Sequence, residues 1–276
     1  MSELKDFWNS IPTSSNDEID IDGSLDSVLS HIHQRKLFAR VLLVLLVPVL
    51  ATVSLLFIPS RTESQMLQCF APLGEHRTVE LPDGSVVTLN SGSTLVYPSI
   101  YNKEERRVAL SGQAKFEVKR NPKQPFVVKT KDFDVRVLGT VFDVSSYTHK
   151  PGSSVVLESG SVVIVKDEKE SRLYPGQKAE FSGNGDLLIS SVETLEYMAW
   201  TKGGFIHRQA TINDIIDYIQ RTYNMQVDCS FSAKYRNAVI TLKSDSAIPV
   251  ERYLDLLSEL IPNMKYHISN NTITLN

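Results

Sequence analysis

The sequence predicts an all-β domain, either a β-sandwich or a β-helical roll, followed by a small α+β domain and preceded by one transmembrane helix. Three observations lead to this prediction. Residues 77–192 consist of short alternating apolar runs separated by turn residues, and residues 193–276 mix helical and strand periodicity. The stretch Val41–Ile58 contains no charged side chain.

The composition excludes several classes of protein. The chain has 276 residues, enough for one or two domains with ordinary hydrophobic cores. Its 29 basic and 32 acidic residues are interspersed and give a net charge of -3, which argues against direct binding of nucleic acid. Cys69 and Cys229 form no metal-binding or redox motif, and we expect isolated thiols, with a structural disulfide as the alternative. We therefore predict neither a metal nor a cofactor.

Residues 37–58 are predicted to form the transmembrane helix. At about 1.5 Å per residue, a helix of this length spans roughly 30 Å, which matches the hydrocarbon core of a bilayer. Pro48 is tolerated because proline occurs in membrane helices. The alternatives are a buried soluble helix and a cleaved signal peptide, but the apolar stretch is long for a signal peptide and a long tail precedes it.

The charges beside this segment predict its orientation. Arg35, Lys36 and Arg40 lie on the N-terminal side, whereas Arg61 is the only basic residue close behind it. By the positive-inside rule, residues 1–36 form a cytoplasmic tail, and residues 59–76 are a linker on the far side of the membrane.

The tail is acidic and carries two apolar helical stripes. Each stripe has the spacing i, i+3, i+4, i+7 of one helix face; the first is Leu4, Phe7, Trp8 and Ile11, and the second is Leu25, Val28, Leu29 and Ile32. Thirty-six residues cannot bury both stripes well, so we expect a partner protein to cover them. The alternative is a disordered stub whose second stripe continues the membrane helix.

The region from residue 77 to residue 192 is predicted to be all-β. Its short strand-like runs are separated by turn residues, among them Pro82-Asp83-Gly84, Asn90-Ser91-Gly92, Ser111-Gly112, Ser159-Gly160 and Pro175-Gly176. Many short strands at this spacing are typical of a sandwich, a barrel or a β-helical roll.

Residues 193–276 are predicted to contain two similar β-α-β units. In the first, Thr211 is a candidate helix cap and precedes an amphipathic helix and a strand near Met225–Cys229. In the second, a helix opened by Pro249 lies between a strand at Val239–Leu242 and a strand pair that turns at Asn270-Asn271.

Several stretches of residues 77–276 resemble the FecR family of transmembrane anti-sigma regulators. They occur in family order: VELPDGSVVTLNSGSTLVYP, RRVALSGQAKFEV, PFVVKT, VRVLGTVFDV, LESGSVVI, LYPGQKAEF, and a C-terminal unit that runs from Trp200 through RTYNMQV. The C-terminal part is similar to the short domain at the periplasmic ends of secretins and TonB-dependent receptors. The tail departs from the family pattern, because many members carry a longer cytoplasmic domain of several helices.

The resemblance implies a function. The protein would lie in the inner membrane with its C-terminal part in the periplasm, where it would receive a signal from the signalling domain of a TonB-dependent outer-membrane receptor. The eight apolar side chains of the tail would bind an extracytoplasmic-function sigma factor. A membrane-anchored envelope scaffold without control of a sigma factor is the alternative. No nucleophile, metalloprotease or nucleotide-binding motif occurs in the sequence, so we do not expect an enzyme.

The pair Gly139-Thr140 admits two interpretations. Some siderophore-sensing members of the family cleave themselves at a Gly-Thr bond in this motif, by transfer of the acyl group from the threonine nitrogen to its hydroxyl. Glycine permits the backbone distortion, and the hydroxyl lies beside the preceding carbonyl. The alternative, which the strand pattern favours, is a tight bend between two strands.

Overall fold

The computed structural model describes residues 44–46, 48, 64–182, 186–229 and 238–276. Residues 63–276 form one compact unit. No helix in the described part of the chain has the length and apolarity that crossing a bilayer requires. The tail, most of the predicted transmembrane segment and residues 183–185 and 230–237 lie outside the described residues.

Residues 64–192, here called the β region, fold almost entirely as strands, as the sequence predicts. The thirteen described strands are β1 (Met66–Ala71), β2 (Arg77–Glu80), β3 (Val86–Leu89), β4 (Ser93–Pro98), β5 (Arg106–Glu117), β6 (Phe126–Lys129), β7 (Asp134–Val137), β8 (Val141–Ser146), β9 (Ser153–Ser159), β10 (Val162–Lys166), β11 (Lys169–Leu173), β12 (Gln177–Phe181) and β13 (Leu187–Ser191). Their inward side chains build one hydrophobic core around Phe116, Phe126 and Phe142.

The long strand β5 belongs to both halves of the sheet. Its first half pairs with β4 and β6, and its second half pairs with β3 and β8. The change occurs at Ser111 and Gly112, since β4 pairing ends at Ser111 and β8 pairing begins at Gly112. The prediction of a turn at Ser111-Gly112 was therefore wrong. Gly112 has a φ of 115°, and a Cβ there would lie 2.6 Å from the Cα of Ser93, so glycine lets the strand bend against β4.

The β region begins earlier than the sequence suggests. Met66–Ala71, which the sequence analysis assigns to a linker, form the edge strand β1 and pair with β4 along its whole length. Ala71 is fully buried and Cys69 packs against the core. Cys69 and Cys229 lie in separate hydrophobic cores, and no disulfide joins them.

The turn at Asp83-Gly84 positions a buried arginine. Gly84 has a φ of 76° between β2 and β3, and Asp83 Oδ2 lies 2.6 Å from Nη1 of Arg106, whose side chain is 1% exposed. Arg106 also donates hydrogen bonds to the carbonyls of Lys119 and Gln124. A buried guanidinium needs such partners, so this turn serves the packing of the β region.

Residues 193–276, here called the C-terminal region, contain the two predicted β-α-β units. The elements are the short helix α1 (Thr194–Tyr197), a 3₁₀ turn (Ala199–Lys202), β14 (Phe205–Thr211), α2 (Ile212–Tyr223), β15 (Gln226–Cys229), β16 (Val239–Ser244), α3 (Val250–Leu260), β17 (Tyr266–Ser269) and β18 (Thr272–Leu275). The first strands of the two units, β14 and β16, pair antiparallel, while β15 pairs parallel to β18.

The helix cap and the turn that the sequence predicts in the C-terminal region are present in the structure. Thr211 caps α2, because its hydroxyl accepts a hydrogen bond from the backbone of Asp214 while the Asp214 carboxylate accepts one from the backbone of Thr211. Asn270 takes a φ of 53° in the β17–β18 turn. The apolar faces of α2 and α3 meet the strands in a second core that includes Ile215 and Tyr253.

Candidate functional site

The sequence analysis yields ten candidate functional residues, and the structure describes two of them. The eight side chains predicted to bind a sigma factor lie outside the described residues, so their role stays a prediction. Gly139 and Thr140 are described and lie between β7 and β8.

Gly139 occupies a bend that only glycine fits. A Cβ there would lie 2.5 Å from the Cα of Arg120, closer than packed atoms approach. Thr140 is buried, and its hydroxyl donates a hydrogen bond to the carbonyl of Ser161 at 3.0 Å. Its own carbonyl accepts from the backbone N–H of Val118. The backbone thus bends at this bond, and self-cleavage stays a prediction.

A buried polar contact joins the β region to the C-terminal region. Asp143, on β8, is fully buried, and its Oδ2 accepts a hydrogen bond from the indole N–H of Trp200 at 2.8 Å. Its other oxygen accepts from Gln113 Nε2 at 2.9 Å, and Gln113 in turn accepts from Asn90. The Trp200 ring also meets His76 edge to face. The 3₁₀ turn near the start of the C-terminal region is therefore held by Asp143 of β8 and by His76 of the loop before β2.

Burial places the titration of Asp143 near neutral pH. Desolvation raises the pKa of this carboxyl to about 7, even though the hydrogen bonds from Gln113 and Trp200 and the charge of Lys115 act to lower it. Both carboxylate oxygens accept hydrogen bonds, and a neutral carboxyl accepts more weakly than a carboxylate, so protonation would weaken the hydrogen bonds from the two donors. The geometry thus favours the ionised form, which burial opposes.

Helix α2 makes the second contact between the regions. Arg221 donates a hydrogen bond to the hydroxyl of Tyr147 at 2.9 Å, and its guanidinium lies over the Tyr147 ring. The Tyr147 hydroxyl donates to the carbonyl of Ser91. The carbonyl of Arg221 accepts from the backbone N–H of Gly74, in the loop after β1. The end of α2 is therefore fixed by both side-chain and backbone hydrogen bonds.

The Asp217 carboxylate contacts nitrogen-bearing side chains of both regions. Arg221, one turn along α2, donates to it at 2.8 Å, and Lys150 and His149 approach it from the β region at 2.7 and 2.6 Å. Burial acts to raise the pKa of Asp217, but Arg221 and Lys150 outweigh it and lower the pKa to about 2. The Asp217 carboxylate is therefore ionised at any physiological pH.

Between the two regions lies a cleft of about 410 Å³. One wall is the outer face of β9 and β12, including Ser154, Val156 and Lys178, and the other wall is the strand β14 with its preceding glycine. Asp143 and Trp200 line the cleft as well. No group of three His, Cys, Asp or Glu side chains in the described part of the chain could hold a metal. The cleft is thus lined by residues of both regions.

Sequence reasoning missed this junction. Asp143 lies in the run VFDV, where a polar residue in a strand is expected to face solvent. Its partner Trp200 lies 57 positions away in the sequence, and residue periodicity does not predict contacts over such a separation. The only sequence signal for this site is the aspartate among three apolar residues. Such a side chain is either exposed to solvent or buried with hydrogen-bond donors around it.

Comparison with known proteins agrees with the motifs quoted above. The FecR protein family matches residues 70–163, which run from β1 to β10. Two crystal structures of a Parabacteroides distasonis ATCC 8503 protein, provisionally described as an anti-sigma factor, resemble the chain. Their resolutions are 2.50 and 1.65 Å, their TM-scores are 0.72 and 0.71, and both are 28% identical to this chain. Each alignment covers 76% of this chain and 98% of the other. No curated protein matches the chain.

The structural likeness extends beyond the family match. An alignment over 76% of the chain extends well beyond residues 70–163, because those residues make up only about a third of the sequence. The match to the FecR protein family lies within the β region.

Proposed function

We propose that the protein is an anti-sigma regulator of the inner membrane that relays a signal from a TonB-dependent outer-membrane receptor to an extracytoplasmic-function sigma factor. The observation that carries this proposal is the likeness, over 76% of the chain, to a protein provisionally described as an anti-sigma factor. The FecR match supports a regulatory rather than an enzymatic role.

The junction between the regions supports a relay. A sensor must transmit a change in its outer part to the part nearest the membrane, which requires an interface with defined geometry. Here the contacts of Trp200 with Asp143 and of Arg221 with Tyr147 are buried and directional. A partner that alters the C-terminal region would therefore act on the strands of the β region.

In this proposal the chain crosses the membrane once, with residues 37–58 as the span and residues 1–36 in the cytoplasm. The uncharged stretch Val41–Ile58 and the basic residues before it support this orientation. A phosphatase reporter fused after Asn276 should be active, and one fused at Lys36 should be inactive. The opposite pattern would overturn the orientation.

The decisive experiment concerns the tail. Residues 1–36 would bind the sigma factor by laying their apolar stripes into a groove. Changing Leu25, Leu29 and Ile32 together to Asp should weaken capture of the sigma factor from the same cell at least tenfold, because carboxylates are costly to bury in an apolar groove. The measurement is binding of each purified sigma factor of the cell to the full chain in detergent.

The control carries the same added charge on the other side of the predicted helix. Changing Ser27, Ser30 and Gln34 to Asp should leave capture unchanged, since these positions lie opposite the second stripe. Equal binding by both triple variants would assign the sigma-factor contact to another part of the tail. If no sigma factor bound the unmodified chain, the anti-sigma function itself would be refuted.

A further inference from the structure

The strand β14 faces the cleft with its edge. Every residue from Gly204 to Ala210 lines the cleft, whereas the side chains of a strand alternate between its two faces. A run of consecutive residues can line one space only when the edge of the strand is turned toward it. Phe205 and His207 point into the second core, so their contribution to the cleft wall includes the backbone.

This edge has no partner in the part of the chain that the structure describes. β14 pairs with β16 alone, and the two form a sheet of only two strands. The backbone groups of Phe205–Arg208 that point away from β16 accept and donate no other hydrogen bond among the described residues. Two-stranded sheets are marginal by themselves, and an open edge accepts a further strand readily.

A bulge sets the length of the usable edge. The pairing of β14 with β16 shifts between His207 and Ala210, where Gln209 has a φ of 52° and its N–H turns to the hydroxyl of Thr241. The regular edge is therefore about four residues long, or roughly 13 Å at 3.3 Å per residue. This length suits a short extended segment.

The charges of the cleft are matched within the protein. Lys178 pairs with Glu180 at 2.7 Å, and Arg208 pairs with Glu196. Lys150 and Arg221 pair with Asp217. A charged ligand would have to break one of these pairs, whereas the backbone edge of β14 offers donors and acceptors that no described residue occupies. The chemistry of the cleft thus favours an uncharged stretch of polypeptide.

We propose that an extended, uncharged segment of the signalling partner enters the cleft and pairs with the open edge of β14, so that the sheet β14–β16 gains a third strand. The segment would lie between β14 and the outer face of β9 and β12, beside the contact of Trp200 with Asp143. This inference rests on the proposed function, in which the C-terminal region receives the signal from a receptor.

Amide hydrogen exchange tests the backbone contact directly. The probe is the purified periplasmic signalling domain of a TonB-dependent receptor from the same cell, added to the full chain in detergent. On binding, exchange of the amides of Phe205–Arg208 that face the cleft should slow at least tenfold, because they become donors to the added strand. Exchange in β15, on the other sheet, should change little.

A variant that fills the cleft provides an independent measurement. Ser154 lies on β9 across from β14, and Ser154→Trp should weaken binding of the receptor domain at least tenfold. Ser171→Trp is the matched control, since Ser171 lies on β11 and does not line the cleft. Because exchange is measured on the unmodified chain, the test does not depend on how the tryptophan variants fold.

The outcomes separate the strand proposal from the proposed function. Binding with protection confined to other elements, or equal binding by both tryptophan variants, would overturn the strand contact and leave the receptor relay intact. Protection of Phe205–Arg208 that rises with the concentration of the chain alone would identify a second copy as the occupant and overturn a partner segment. Absence of any binding would overturn both the receptor contact and the strand proposal.

Discussion

At Asp143, burial and hydrogen bonding shift the pKa of the carboxyl in opposite directions. Its carboxylate accepts from Gln113 and Trp200, yet desolvation raises its pKa to about 7. A carboxyl whose pKa is higher in the folded than in the unfolded state binds a proton more readily when folded. Its effect on stability is therefore favourable at low pH and is lost as the pH rises from about 4 to about 7.

The first prediction concerns this pH dependence. Asp143→Asn cannot titrate, so the variant should lack the fall in the free energy of unfolding that Asp143 causes in the unmodified chain between pH 4 and pH 7. Across that window the difference between the two proteins should change by up to roughly 4 kcal/mol. Chemical unfolding of the full chain in detergent, followed by tryptophan fluorescence at several pH values, measures this difference.

A difference between variants is needed because another group acts in the opposite sense. Burial lowers the pKa of His207 to about 4, so His207 costs stability as the pH falls below 6.5. His207→Gln should remove that acid-side loss and leave the effect of Asp143 in place. If Asp143→Asn tracked the unmodified chain at every pH, the carboxyl would not titrate in this range.

The second prediction concerns the bond between Gly139 and Thr140. If the bond is cleaved by acyl transfer to the threonine hydroxyl, a chain tagged at both ends should yield two fragments that meet there. Thr140→Ala should abolish the cut, and Thr140→Ser should retain it, because serine keeps a hydroxyl in the same place. An intact chain of 31.0 kDa would leave Thr140 as a structural residue held by Ser161.

At the scale of helices and strands, the sequence predicts the features that depend only on neighbouring residues, such as turns and helix caps. Gly84 and Asn270 take left-handed conformations where the turn residues indicated, and Thr211 caps the helix whose apolar stripe was visible. The bend of β5 at Ser111-Gly112 was misassigned because a Ser-Gly pair is also a turn signal. Only the pairing with strands on both sides distinguishes the two cases, and pairing is not local.

The third prediction tests the cap of α2. Thr211→Ala removes the side-chain acceptor for the Asp214 backbone and should lower the free energy of unfolding by about 1 kcal/mol. Thr211→Ser keeps the hydroxyl and should lower it far less. A loss of equal size in both variants would mean that the methyl group of Thr211, rather than its hydroxyl, stabilises the helix. Thermal unfolding of the three proteins under one condition provides the measurement.

At the scale of the whole molecule, two hydrophobic cores are joined by polar contacts. The contacts involve Trp200 after α1 and Arg221 near the end of α2, so they lie at both ends of the segment that carries β14. A strand added to β14 would therefore press on a segment fixed at both ends. In the proposed relay, a strand bound in the cleft would shift this segment and thereby alter its contacts with β8 and Tyr147.

The fourth prediction tests whether the C-terminal region receives the signal. A chain that ends at Lys202 retains the β region and Trp200 but lacks the open edge of β14. Transcription that depends on the external ligand should be lost in cells that carry this chain. A reporter gene for the sigma factor measures the response, with membrane localisation and sigma-factor capture of the truncated chain as controls.

A ligand response that survived this truncation would place the receptor contact in the β region. A truncated chain that no longer captured the sigma factor would instead show that the C-terminal region is needed for the tail to work. The two results call for different models of the relay, and the capture control tells them apart.

The position of β5 in both halves of the sheet also determines when the β region can fold during synthesis. β5 is complete once Glu117 has been made, yet its second half lacks its neighbour β8 until Ser146 follows. Its first half lacks β6, which ends at Lys129. The growing chain must therefore hold Phe116 and the other core side chains of β5 uncovered while some thirty further residues emerge. A chaperone that binds nascent chains would find its most exposed target in this interval.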